Sequence, residues 1–244
     1  MKSILKVNNL SYFYPNRKEI TLKNINLNIK KGDKVTFIGP NGAGKTTLFM
    51  HLVGLLKSKK ENTIIIDDKD INKMNQNEKV SKIAILFSDP DTQLIMPTVY
   101  DDIAFGPINL NYTDEEIKLK VENIIDLMKL NNIKNRVSQH LSFGQKKKVA
   151  LASILSLDPD IIILDEPTAN LDPKSKKDII NIINFLNKKG KTIISSTHDM
   201  SILSEISNIV YIINKEIISY GTPYEILKEK NLLEKHNLET PDIS

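Results

Sequence analysis

Two kinds of apolar pattern alternate along this chain. Short unbroken runs at 34–38, 82–87, 161–164 and 192–195 predict strands buried on both faces, as in a parallel sheet. Between them, at 45–55, 113–128, 144–156 and 173–187, apolar residues recur with helical spacing. Such alternation predicts an α/β fold with a parallel core sheet. Segments 5–14 and 21–29 read as strands joined by a polar turn at 15–18, and with 63–67 they predict an antiparallel β layer. Residues 113–138 are helix-rich and too long for a simple crossover. They predict a helical subdomain, about 89–158, within a single domain of residues 1–244. The stretch 88–107 holds Pro90, Pro97 and Pro107 and reads as an irregular connector. Residues 222–236 predict a C-terminal helix with Thr222 as N-cap and Pro223 at its first position, in an extension of about 222–244.

Composition narrows the classes. A chain of 244 residues can bury about 70% of its unfolded surface. The net charge of +4 carries no basic stripe, so nucleic acid is not expected as a partner. The short basic runs at 57–60 and 146–148 read as solvated faces. Absence of cysteine excludes disulfides and thiolate metal sites. The start, MKSILKVNNLSYFYP, lacks the long apolar run of a signal peptide. No run of about 18 apolar residues occurs, so membrane association is expected to go through a partner.

Residues Gly39-Pro40-Asn41-Gly42-Ala43-Gly44-Lys45-Thr46 fit G-x-x-x-x-G-K-[ST], between an apolar run and a helical pattern. Glycines let backbone N–H groups turn inward around phosphate oxygens, and the helix start adds partial positive charge. Lys45 brings a full charge to the β/γ-phosphates, and the Thr46 hydroxyl suits Mg²⁺, which prefers oxygen ligands. This motif alone indicates only a nucleoside triphosphate.

The run Ile161-Ile162-Ile163-Leu164 ends in Asp165 and Glu166. Ligands of open α/β sheets gather at the C-terminal strand edge. There Asp165 can hold Mg²⁺ through water and Glu166 can take a proton from an attacking water. Ser142, in Leu141-Ser142-Phe143-Gly144-Gln145, stands at a helix start, where it serves either as a plain cap or, with the Gly144 amide, as a second phosphate contact. A second such element suggests that two chains share each nucleotide. His198 follows the strand at 192–195 and is either structural or a hydrogen-bond partner of the γ-phosphate or its water.

Taken together these segments resemble the ATP-binding-cassette (ABC) family, in the family's order: the loop 39–46, the signature LSFGQ at 141–145, IIILDEP, the loop Ala169-Asn170-Leu171-Asp172, and Thr197-His198-Asp199. The resemblance covers nearly the whole chain. It implies the P-loop ABC ATPase fold and a head-to-tail pair of cassettes, with ATP held between one phosphate loop and the partner's signature. It also implies ATP contacts from Tyr14, whose ring would stack on adenine, and from residues 39–47, Thr47 included. Glu166 and His198 would be catalytic, Thr46 and Asp165 would serve the metal, and Asp172 would touch the partner cassette. Magnesium would accompany ATP.

Two positions depart from the family pattern. Ser88 stands where a metal- and water-contacting glutamine is usual, and nearby Gln93 either compensates or lines the partner-facing loop. Phe143 replaces a glycine, so its ring must turn away from phosphate. The stretch DPDTQLIMPTVYDDIAFGPINL and the ending LLEKHNLETP resemble cassettes of cobalt, nickel and energy-coupling-factor vitamin importers. That narrower resemblance implies a transmembrane coupling subunit docked near 88–106, a separate substrate-binding membrane subunit, and a peripheral place at the cytoplasmic face of the cell membrane. A cassette acting on DNA or ribosomes would usually show a coiled-coil insertion or fused cassettes. A non-hydrolysing regulatory cassette would lack Glu166 or His198.

Overall fold

The computed structural model describes residues 2–15 and 19–240. Residues 16–18 of the expected turn, and 241–244 of the expected extension, lie outside them. The chain opens with β1 (Ser3–Tyr12) and β2 (Leu22–Lys30), paired antiparallel. In β2 Leu22, Ile25, Leu27 and Ile29 are buried while most of the residues between them face solvent. This near-alternation belongs to a sheet covered on one face only. β3 (Lys34–Ile38) runs into α1 (Lys45–Leu52). That helix stops short of the expected residue 55, and Gly54 just beyond it takes a φ of +74°.

β4 (Ile64–Ile66) and β5 (Lys69–Asp70) complete a sheet of order β2-β1-β4-β5. α2 (Gln76–Lys82), absent from the sequence expectations, carries a capping box between Asn75 and Glu78 and leads into β6 (Ile83–Leu86).

The segment 88–107 corrects an expectation. Only its first part is irregular, because Thr98 caps α3 (Val99–Asn109) by accepting from the Asp101 amide. Pro107 sits near the end of α3, where it does not stop the helix. The carboxylate of buried Asp102 holds this region together: it accepts from the Ile95 and Met96 amides, each at 3.0 Å, and from the Ser138 hydroxyl at 2.5 Å. α4 (Asp114–Met128) and α5 (Phe143–Leu155) pack with α3 between β6 and β7 (Ile161–Leu164).

α6 (Pro173–Lys188), β8 (Thr192–Ser196), α7 (Leu203–Ile206), β9 (Ile209–Asn214) and β10 (Glu216–Gly221) follow. The expected C-terminal helix is two short ones, α8 (Pro223–Lys228) and α9 (Lys230–Lys235), divided at Glu229, whose ψ of 52° is not helical.

The central sheet has the order β10-β9-β3-β8-β7-β6, parallel from β9 through β6. β7 shows why its sequence is continuously apolar. Ile162 and Leu164 face a core shared with α4, α5 and α6, while Ile161 and Ile163 face one shared with α1 and the antiparallel sheet. All four are fully buried, each contributing about 1.5–3 kcal/mol.

Candidate active site

The parallel register brings the C-terminal ends of β3, β8 and β7 together: Phe37 is level with Ser196, and Leu164 with Ser195. The loop 39–44 springs from β3 at that edge. A β-carbon on Gly39 would fall 2.1 Å from the Ile213 carbonyl oxygen, so only glycine lets the loop lie against β9. Gly44 has a φ of +99°, and a β-carbon there would meet the Thr21 carbonyl oxygen at 2.8 Å. Gly44 is also the N-cap of α1, with no side chain to accept from the first amides of that helix. Those donors are left for an anion. Residues 41–47, with Thr21 and Glu166, line a cavity of about 160 Å³.

Beneath the loop runs a chain of hydrogen bonds. The Thr46 hydroxyl donates to Asp165 Oδ2 at 2.7 Å. Ser196 Oγ donates to Asp165 Oδ1 at 2.6 Å and accepts the Glu166 amide at 3.0 Å. Glu166 Oε1 is 2.9 Å from His198 Nε2, which lies 3.4 Å from the Lys45 ammonium. Lys45 donates to the Gly39 and Pro40 carbonyls at 2.7 and 3.2 Å. Burial lowers its pKa, while the charges of Glu166 and Asp165 oppose that. Glu166 holds a left-handed φ of +49°, a conformation that costs a non-glycine residue about 1–2 kcal/mol.

The structure thus joins Lys45, Thr46, Asp165, Glu166 and His198, and adds Ser196, which the sequence reading did not single out. Its only sequence signal is a polar residue ending a buried strand. Tyr14 reaches the first turn of α1, its hydroxyl 3.2 Å from Thr47 Oγ1 and its ring edge-on to Tyr12. A second unforeseen element is the β9–β10 hairpin. The Lys215 amide donates to the Ala43 carbonyl at 2.8 Å, so the hairpin braces the phosphate loop from behind. The positive φ of Lys215 hid this turn, since such turns usually advertise themselves with glycine or asparagine.

The segment 141–145 is not among the residues lining the phosphate cavity. Ser142 caps α5: its Oγ accepts the Gln145 amide at 3.4 Å and its own amide donates to Gln145 Oε1 at 3.0 Å. Leu141 is buried. The Phe143 ring turns back along its helix to face the Lys147 ammonium, 5.4 Å from the ring centroid. Gly144 packs on α6, where a β-carbon would be 2.9 Å from Ser175 Oγ. Asp172 caps α6 through the Lys174 and Ser175 amides, both at 3.0 Å.

The side-chain amide of Gln93 is engaged away from the phosphate cavity. Its Oε1 accepts the Phe87 amide at 2.8 Å and its Nε2 donates to the Ile85 carbonyl at 3.0 Å. It therefore covers the free edge of β6, one of the two edge strands of the central sheet. Ser88 itself is exposed, and its carbonyl accepts from Lys147.

A phosphate loop feeding a helix, with two carboxylates at the end of a strand one place removed in the same sheet, defines a P-loop nucleotide-binding protein. More particularly, the chain belongs to the ABC transporter family, whose profile matches residues 22–169. The energy-coupling factor transporter ATP-binding protein EcfA2 of Methanospirillum hungatei is 41% identical over 99% of this chain, which spans 61% of that protein's length. The solved structure of cbiO1 from Clostridium perfringens, part of the ABC transporter complex cbiONQ, superposes with a TM-score of 0.83 and 38% identity. That match covers 100% of this chain and 98% of cbiO1. A dimeric ATP-binding cassette in a post-hydrolysis state, bound to ADP and Pi, matches 90% of this chain and 99% of its own, with TM-score 0.80 and 27% identity. Among the described residues, no helix is long and apolar enough to cross a membrane.

Proposed function

We propose that this chain binds and hydrolyses ATP as the energising subunit of a membrane import complex of the energy-coupling-factor or cobalt type. It acts in a pair of cassettes, with a second copy or a similar chain, docked on a transmembrane coupling subunit. A separate membrane subunit captures the substrate, a cobalt or nickel ion or a vitamin. The observation that carries the reading is the hydrogen-bond chain from Thr46 through Asp165 and Ser196 to the Glu166 amide, with the Glu166 carboxylate 2.9 Å from His198, under an uncapped helix start. The kinship with EcfA2 and cbiO1 supports the importer type.

Tyr14 stacks on the adenine, the loop 39–47 holds the phosphates through its amides, and Lys45 leaves its own loop's carbonyls for the β/γ-phosphates. Thr46 and Asp165 offer adjoining hard oxygens of the kind Mg²⁺ takes beside phosphate. No cluster of three or more His, Cys, Asp or Glu side chains fit to hold a metal occurs among the described residues. Bound there, Mg²⁺ would neutralise charge on the phosphate oxygens. Glu166 takes the proton of the attacking water, and His198 orients the γ-phosphate. Residues 142–145 serve the partner's nucleotide, in keeping with their separation from the phosphate cavity of their own chain. Head-to-tail closure then moves the membrane helices docked near residues 88–106.

A positioned general base contributes about 10²–10⁴-fold in rate. Glu166→Gln is therefore expected to retain ATP binding, accumulate a closed dimer on size-exclusion chromatography and lose turnover by that factor. Wild-type turnover in this variant removes Glu166 from the role.

A further inference from the structure

Lys147 lies on α5, one turn from the Ser142 cap, and exposes none of its surface. An ammonium in the interior has to be hydrogen-bonded. This one donates to two backbone carbonyls, Ser88 and Glu166, each at 2.8 Å. The Phe143 ring faces it, a favourable arrangement for a cation. Burial pulls its pKa down to about 8, while the charges of Glu166, Asp165 and Asp89 favour the charged form. Near neutral pH the ammonium persists. A leucine or methionine would fill the same space without burying a charge, so packing alone does not call for lysine here.

The two carbonyls are the ones that need holding. Glu166 keeps its left-handed backbone through the bonds its peptide groups make: its amide to Ser196, its carbonyl to Lys147 and to the Ala169 amide at 3.3 Å. Backbone in such a region persists where its surroundings impose it, and it concentrates at functional sites. Ser88 lies second in the loop after β6, at the position where the family pattern has glutamine. Its carbonyl tethers that loop to α5.

We propose that Lys147 is a positioning residue for hydrolysis. From α5 it clamps the carbonyls of Ser88 and Glu166, and so aims the Glu166 carboxylate and fixes the loop beside it. The proposal rests on the reading of Glu166 as general base.

The test compares wild type, Lys147→Met, Lys147→Arg and Glu166→Gln, all full chains, by equilibrium ATP binding, steady-state ATPase kinetics and thermal melting. Misplacing a catalytic group by an ångström costs up to about 10²-fold, so Lys147→Met is expected to lose about 10- to 100-fold in kcat while its Kd for ATP stays within about threefold. Lys147→Arg, which keeps charge and donors, is expected to recover part of the kcat. Wild-type kcat in Lys147→Met, or a parallel loss of kcat and ATP affinity, overturns the proposal. If neither variant folds, Lys147 is a folding element and the proposal falls. Wild-type turnover in Glu166→Gln would instead sink the reading of the base. An inactive Glu166→Gln beside a fully active Lys147→Met would sink only the clamp.

Discussion

Helices α1 and α5 both begin at a turn carrying a motif, yet their first turns are finished differently. α1 starts at Gly44, which has no side chain, and its first amides face the phosphate cavity. α5 starts at Ser142, which exchanges hydrogen bonds with Gln145 in a closed capping box. A helix start offers an anion only the donors that its own cap does not take. One chain therefore carries one ready phosphate cradle and one helix start that its own cap takes in part. The second, with only its Gln145 amide taken by the Ser142 side chain, has the Phe143 and Gly144 amides and the Ser142 hydroxyl to present to a ligand held elsewhere.

The largest expected effect comes from the cradle. Lys45→Ala removes a buried charge from it and is expected to weaken ATP binding about 10²-fold or more. Lys146→Ala, at the start of α5 and paired with exposed Asp91, is expected to leave binding within about twofold. Calorimetric titration of the isolated chain measures both. Equal losses would erase the distinction between the two helices.

Next comes the foot of α1. His51 is fully buried, its ring 4.7 Å from that of Tyr12, and burial pushes its pKa from 6.5 down to about 4. Between these values an unfolded chain binds a proton that the folded chain refuses. The stabilisation is complete above about pH 6.5 and is lost progressively as pH falls to about 4, by about 3 kcal/mol in all. His51→Phe is expected to flatten that limb in urea melts taken across the window. An unchanged limb would assign the acid sensitivity to other groups.

The smallest effect belongs to the capped helix start. Ser142→Ala is expected to lower stability by about 0.5–2 kcal/mol and to leave ATP binding by the isolated chain unaltered. Loss of ATP binding in that variant would mean that α5 reaches the cradle of its own chain.

Much of this contrast was legible beforehand. The phosphate loop depends on the conformation of a few consecutive residues, and its glycines announce it. The strands at 34–38 and 161–164 showed as apolar runs because both of their faces are covered. The helix α3 was obscured by three nearby prolines, although Thr98 followed by Asp101 was a usable cap signal. The strands β9 and β10 were obscured by a lysine in the left-handed turn between them. Gln93 resembled a substitute for a missing glutamine only because the two positions are close in sequence. In space its amide is occupied by the edge of β6.

By itself the sequence determined the elements and motifs whose information is local: the cradle, the acidic strand end, the start of α5 at Ser142, and their order along the chain. Only the tertiary structure decided that Ser196 joins Asp165 to Glu166, that the β9–β10 turn braces the loop at Ala43, and that Lys147 reaches from the signature helix to the carbonyls of Ser88 and Glu166. The physical reason is register. Each of these contacts depends on how far one strand or helix is advanced against another, and that is set by packing the whole sheet and its helices rather than by the residues on either side of the contact.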